Sequence, residues 1–139
     1  MIRAVFDAST VISGCGWGAE SYQCLFFVAR RRVRSYATEP IIAEWRETIS
    51  ELEARGTKFR HSPRPTLEWL IGVSHLISPA PIGRQRSRDA TDDPYIACAL
   101  AARAEFIIAR DEDLLVLEKP FGIEILTPRA FLNRLRARL

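Results

Sequence analysis

Between Asp89 and Leu115 the chain reads DATDDPYIACALAARAEFIIARDEDLL: an acidic turn, a helical stretch, a short apolar run and a second acidic turn. That order constrains the fold more than any other feature. The run Phe106-Ile107-Ile108-Ala109 is short, apolar and partly β-branched, as befits a strand buried in a parallel sheet. Before it, Ile96, Ala97, Leu100 and Ala101 fall on one helical face. Pro94 suits a first helical turn, where its missing N–H costs nothing, and Asp93 before it suits an N-cap. A strand that runs into acids sets carboxylates at its carboxyl edge, where open α/β sheets keep their sites.

A second such strand opens the chain, with Ile2, Ala4, Val5 and Phe6 leading into Asp7. If the two strands are parallel neighbours, Asp7 and Asp111 leave the sheet at the same edge. The turn before the helix then brings Asp92 or Asp93 there too. Carboxylates crowded into one pocket repel one another unless a cation joins them or some take up protons. The expectation is a divalent metal.

The remaining elements alternate. Ser9, Thr10 and Ser13 come after Asp7 and can bond to a metal's water shell or a phosphate, or simply end the strand and cap the next element. A loop is expected over Gly14–Gly18, then a helix over Glu20–Arg31 with Tyr22, Leu25, Phe26 and Ala29 on its apolar face. A strand comes next at Val33–Ala37. Thr38 caps a helix whose stripe is Ile41, Trp45, Ile49 and Leu52, and Glu44 lies at the border of that stripe, able to turn towards a cation. Gly56 ends it. Thr57–Pro65 reads as a basic loop carrying Lys58, Arg60 and Arg64, Thr66–Val73 as a helix and Leu76-Ile77 as a short strand. Pro79–Arg88 is a loop in which Arg84, Arg86 and Arg88 alternate. Leu114-Leu115 begin a short helix, Gly122–Leu126 is a last strand, and Thr127 with Pro128 starts a terminal helix that buries Phe131, Leu132 and Leu135. Strands alternating with helices give a mostly parallel sheet covered on both faces.

The 139 residues suit one domain, 1–139, and an apolar content of 47% suits a globular core. No segment is long enough to span a membrane, and no signal-peptide pattern opens the chain. Cys15, Cys24 and Cys98 have no metal or redox spacing, so reduced thiols and a cytoplasmic location are expected. His61 and His75 are not spaced as a metal pair. The net charge is +3, and apart from Lys58 and Lys119 every one of the 20 basic residues is arginine. Arginine favours bidentate phosphate contacts. The loops carrying Arg84, Arg86, Arg88 and Lys58, Arg60, Arg64 are therefore candidate grips on a nucleic-acid backbone.

Taken in order, Asp7 after a strand, Glu44 in a helix, Asp92 or Asp93 at a helix start and Asp111 after a later strand resemble the PIN-domain nucleases. The likeness is greatest to the VapC-like branch described as toxin components of toxin–antitoxin systems. Phe6-Asp7-Ala8-Ser9, Ile41-Ile42-Ala43-Glu44, Arg88–Asp93, Asp111–Leu115 and Gly122–Pro128 with Phe131-Leu132 carry the resemblance over nearly the whole chain. It implies a three-layer α/β/α sandwich, one or two Mg²⁺ or Mn²⁺ ions, and hydrolysis of RNA phosphodiesters. By matching position Asp7, Glu44, Asp93 and Asp111 become the core acids. Asp92 and Asp113 are further metal candidates, and Ser9 and Asp89 are secondary. It also implies RNA as partner, a cognate antitoxin over the acidic cleft and a homodimer. Two departures stand out. Ser9 replaces the usual Asn and Ala109 replaces a frequent Thr, which leaves a catalytically weak RNA- or protein-binding module as the alternative. A haloacid-dehalogenase-type phosphatase, faintly suggested by Asp7–Val11, lacks its second Asp, because Ser9 stands there.

Overall fold

A computed structural model describes residues 1–138. Five strands, β1 (Ile2–Phe6), β2 (Val33–Ala37), β3 (His75–Leu76), β4 (Phe106–Ile108) and β5 (Glu124–Leu126), form one sheet in the order β3-β2-β1-β4-β5. Every pairing is parallel. Among the described residues seven helices flank it: α1 (Ala8–Gly16), α2 (Ala19–Ala29), α3 (Glu39–Ala54), α4 (Pro63–Val73), α5 (Asp93–Ala102), α6 (Glu112–Leu115) and α7 (Pro128–Ala137). The architecture is the expected α/β/α sandwich, and the sheet is parallel throughout. No helix among the described residues is long and apolar enough to cross a membrane.

The chain winds outward from β1 through β2 to β3, then returns to place β4 on the other side of β1. That reversal opens a crevice at the carboxyl ends of β1 and β4, where open α/β sheets bind ligands. The register pairs Phe6 with Ile108, and the Asp7 N–H donates to Ile108 O at 3.0 Å. Asp7 and Asp111 therefore do leave the sheet at one edge. Ala4, Val5, Phe6, Phe106, Ile107 and Ile108 are almost wholly buried, as strands covered on both faces must be.

Several local expectations are corrected. The glycines of the Gly14–Gly18 stretch do not make a loop, because α1 runs through Gly16. Gly14 and Gly16 serve close packing instead: a Cβ at Gly14 would stand 2.9 Å from Leu25 Cδ1, and one at Gly16 would stand 2.5 Å from Phe59 Cδ1. The turn comes only at Gly18, with φ of 98°. That close approach also shifts the inner face of α2, which buries Ser21, Cys24, Leu25 and Val28 and leaves Tyr22 and Phe26 about half exposed. In α5, Tyr95, Ile96, Ala97, Cys98, Ala99 and Ala102 are all buried. The expected stripe was partly misplaced: Ala101 is exposed and Leu100 half-buried, because this helix turns Tyr95, Cys98, Ala99 and Ala102 inward as it packs against β1, β2, β4 and α3 at once. Helix α4 starts at Pro63, so Arg64 sits on a helix and not in the basic loop. Strand β3 begins at His75, and a 3₁₀ turn over Pro120–Gly122 delays β5 to Glu124. Strand β2, the Thr38 cap of α3 and the inward packing of Phe131, Leu132 and Leu135 stand as read. All three cysteines are free, and burial pushes each thiol up to about 12.

Candidate metal centre at the carboxyl edge

Asp7 ends β1 and caps α1. Its Oδ1 accepts from the Thr10 N–H at 2.8 Å, and its Oδ2 accepts from the Arg110 N–H at 3.3 Å. The Ser9 hydroxyl donates to both oxygens, at 3.0 and 2.9 Å. Ser9 thus supplies a polar contact at the position where the resemblance expected Asn. Ala109 is fully buried and offers none. Burial raises the Asp7 carboxyl from its ordinary value, opposed by those hydrogen bonds.

Glu44 reaches the same edge from the border of the α3 stripe. It is half-buried, and the buried Tyr95 hydroxyl on α5 donates to its carboxylate. Burial raises Glu44, Tyr95 lowers it, and the charges of Asp7 and Asp89 raise it further. Tyr95 is itself raised, by burial first and then by Glu44.

The Asp89–Asp93 turn divides its acids. Asp89 caps a 3₁₀ turn over Ala90–Asp92, accepting from the Thr91 N–H at 3.0 Å and its hydroxyl at 2.7 Å, and these bonds lower its carboxyl. Asp93 is not the cap of α5; it is the first residue of that helix, and Asp92 holds the cap position. The Asp93 carboxylate turns to the Pro79–Arg88 loop and accepts from the N–H of Arg86 at 3.0 Å and of Ser87 at 2.7 Å. Asp92 turns inward and is buried. Burial first, then a hydrogen bond with Asp111 and that residue's charge, push it up to about 7, and the Ser87 hydroxyl only partly offsets them. Oxygens of Asp89, Asp92 and Asp113 all lie within 4.8 Å of one another. Asp111 caps α6 by accepting from the Asp113 N–H at 2.9 Å.

The structure thus gathers Asp7, Glu44, Asp89, Asp92, Asp111 and Asp113 at one edge and turns Asp93 to the loop beside it. Two participants were missed. Ser87, buried between Arg86 and Arg88, joins Asp92 Oδ2 to Asp113 O and accepts from the Asp89 N–H. Tyr95 had no local signal, because its partner Glu44 lies far away in the sequence, on α3.

The basic residues are less uniform than their sequence suggests. Arg84 is exposed. Arg86 is a loop brace: its guanidinium donates to Ile82 O and lies 4.6 Å from the centre of the Phe121 ring. Arg88 pairs with Asp113 at 2.9 Å. Lys58 and Arg60 are exposed, on a loop anchored by Phe59 against Trp17 and by His61 N–H on Gly16 O. That anchorage is the end of α1 remote from Asp7, about 13 Å away at 1.5 Å per residue. Arg64 is spent on Glu53, at 2.5 Å, and on Ser50.

The family model described as PIN domain matches residues 3–113, from β1 to the last acid of the cluster. A crystal structure of PAE2754 from Pyrobaculum aerophilum is similar over 98% of both chains, with a TM-score of 0.66 and 15% sequence identity, a likeness of fold. No curated protein matches the chain.

Proposed function

The chain belongs to the PIN-domain family, and from that premise we propose that it is a metal-dependent endoribonuclease, the toxin component of a toxin–antitoxin system. PIN domains are generally nucleases. The observation that carries the reading is the set of Asp89, Asp92 and Asp113 oxygens within 4.8 Å of one another, beside an Asp92 carboxyl raised to about 7. Such a donor set fits Mg²⁺ or Mn²⁺: the ligands are hard oxygens, and the Asp92 carboxyl, raised by burial and by Asp111, would be held as a carboxylate by a cation beside it. Asp89, Asp92 and Asp113 would hold one ion, with Asp111 adjoining, and Asp7 with Glu44 would hold a second. When bound, the ion supplies charge compensation for the phosphoryl group and acidifies water.

The chain's own groups do the rest. Asp7 is fixed by the N–H of Thr10 and Arg110, so its carboxylate keeps one orientation. Tyr95 fixes Glu44 in the same way. Burial and the neighbouring Asp111 hold the Asp92 carboxyl up, so a cation bound there would compete with its proton. Arg84 and its neighbours in the loop pinned by Asp93 would offset the phosphates that the acids repel. We assign the ligand role to Asp92 and a loop-holding role to Asp93. An antitoxin segment over the acidic cleft, pairing of two copies and action in the cytoplasm belong to the same reading.

The test is cleavage of single-stranded RNA by purified protein with Mn²⁺, lost on chelation, together with growth arrest on expression that a protein encoded beside it relieves. One observation favours a second reading, an RNA- or protein-binding module without useful turnover: the Arg88 guanidinium lies 2.9 Å from Asp113 Oδ1, where a cation would be expected. RNA binding without Mn²⁺-dependent cleavage would select it.

A further inference from the structure

Beside the acidic edge lies a cavity of about 320 Å³, with Ser13, Ser21, Arg110, Thr127 and Arg129 in its wall. Helices α2 and α7 both begin there. Gly18 at the start of α2 has no side chain with which to cap it. The N–H groups of Ala19, Glu20 and Ser21 are therefore left without an acceptor on the helix, and that of Tyr22 is the first to find one, Gly18 O at 3.3 Å. In α7, Thr127 Oγ1 accepts from the Ala130 N–H at 3.2 Å, and the Arg129 N–H has no acceptor among the described residues.

A second observation points to a ligand independently of the helix ends. Ser21 is only 4% exposed, yet its hydroxyl has no hydrogen-bond partner among the described residues. The fully enclosed side-chain atom that lacks a partner is Trp45 Nε1, not Ser21 Oγ. The Ser21 hydroxyl therefore keeps an opening, and the opening is the cavity it lines. A hydroxyl that opens only on a cavity can bond to an acceptor, or to water, that enters it.

The lining is balanced in charge, Glu20 and Glu112 against Arg110 and Arg129, and it is the free donors that suit an anion. Glu20 and Arg129 cancel each other across 2.8 Å. Arg110 has neither an ion pair nor a side-chain hydrogen bond among the described residues, and it faces only the exposed Glu112 in the lining. Several N–H donors, hydroxyls and one forked guanidinium match a tetrahedral oxyanion with acceptors on every side. The cavity also adjoins the candidate metal centre. The Arg110 N–H donates to Asp7 Oδ2. Ser13 stands about 6 Å along α1 from Ser9, the hydroxyl partner of Asp7. That offset is on the scale of one nucleotide step along a strand.

We infer that the cavity between the starts of α2 and α7 is a phosphate subsite, which takes the RNA backbone phosphate next to the one that is cut. The subsite rests on the ribonuclease reading for its ligand but not for its chemistry, and the test separates the two. Amide spectra of ¹⁵N-labelled protein are recorded in chelator, without turnover, during titration with inorganic phosphate, with a dinucleoside monophosphate and with a trinucleotide carrying a second phosphate. The expected result is movement of the Ala19, Glu20, Ser21 and Arg129 amides with phosphate and with the trinucleotide, and much less with the dinucleotide. Ser21→Ala and Arg110→Gln should each weaken trinucleotide binding about five- to tenfold. Ser21→Ala leaves a good helix former in place, and Arg110→Gln alters an exposed side chain, so at least one variant folds. Movement with phosphate but not with the trinucleotide means an adventitious ion only and overturns the proposal. So does movement confined to the Arg84–Arg88 loop, or unchanged trinucleotide binding in both variants. If wild-type protein cleaves RNA while these amides stay silent, the subsite falls and the nuclease stands. If the amides move and no cleavage occurs with Mn²⁺, the subsite stands and the nuclease reading falls.

Discussion

Asp7 and Asp92 are both buried carboxyls at the carboxyl edge of the sheet, 3% and 7% exposed, yet opposite surroundings hold them. Around Asp7 the neighbours are donors: two backbone N–H groups and the Ser9 hydroxyl. Around Asp92 the neighbours are acids, and the Ser87 hydroxyl is its side-chain donor at 3.2 Å. Burial raises both carboxyls, but hydrogen bonds oppose it at Asp7, whereas Asp111 adds to it at Asp92. At Asp7 the donors offset part of the cost that burial places on the anion. The Asp92 turn is completed only by a proton or a cation. A carboxylate count alone would treat the two turns as equivalent; the donor inventory separates them.

Asn substitution should break that comparison most sharply. Asp7→Asn and Asp92→Asn are each expected to lower Mn²⁺-dependent RNA cleavage by at least about a hundredfold, on the order of 2.7 kcal/mol in the barrier. Their effects on stability should diverge. Asn at position 7 still caps α1, but its NH₂ opposes one of the donors, and an unmatched buried donor costs about 1–3 kcal/mol. Asn at position 92 removes a repulsion, so the metal-free variant should be at least as stable as wild type at pH 8. Urea unfolding followed by circular dichroism measures both. Equal destabilisation of the two variants would show that the turns are held alike.

Metal and pH act on the same difference. A cation that binds only the native state adds about 2.7 kcal/mol at a hundredfold excess over Kd, so millimolar Mn²⁺ should raise the melting temperature of wild type and not of Asp92→Asn. Without metal, Asp92, raised from 3.8 to about 7, binds its proton more tightly folded than unfolded. Its stabilising contribution is complete below the unfolded value and is lost as pH rises through the folded one. Asp7 and Glu44 are raised too and act in the same sense. Glu105, Glu124 and Asp89 are lowered, and their contribution is lost instead in acid. The metal-free protein should therefore melt higher near about pH 5.5 than at about pH 8, and saturating Mn²⁺ should close most of that gap. A gap that Mn²⁺ leaves untouched would place the raised carboxyls outside the metal centre.

Much of this was legible in the sequence, for reasons that differ between the regions. β1 and β4 announced themselves as apolar runs ending in Asp7 and near Asp111, because a strand covered on both faces leaves no choice of residue type. Their adjacency was only conditional until the β3-β2-β1-β4-β5 order fixed it. Helix starts were read from Thr38-Glu39-Pro40 and Thr127-Pro128, where capping is local chemistry. What could not be read was anything set by contact across the chain. Gly14 and Gly16 look like turn residues until Leu25 and Phe59 are seen to press on them. The choice between Asp92 and Asp93 depends on Ser87 and Asp111, which lie in other segments. Tyr95 became visible as a partner only when α3 brought Glu44 beside it.

The smallest expected effect is at Asp93, one residue from the largest. Its carboxylate accepts from the N–H of Arg86 and of Ser87 and so ties the start of α5 to the loop that carries Arg84. Asn can present one oxygen to one of these donors, but its NH₂ turns towards the other. One loop amide then loses its acceptor while the acids of the cluster keep theirs. The loop should open more often, and the Arg86 and Ser87 amides should exchange with solvent faster than in wild type. Cleavage should fall by about tenfold or less, because the loop positions the strand and does not touch the metal. Loss of one phosphate contact at Arg84 would flatten the salt dependence of single-stranded RNA binding by about 0.7 in log–log slope, so a loosened loop in Asp93→Asn should give a change of that size or smaller. Should Asp93→Asn instead abolish cleavage while Asp92→Asn retains it, the assignment of the two neighbours would be reversed, and the crowding around Asp92 would have to be read as structural.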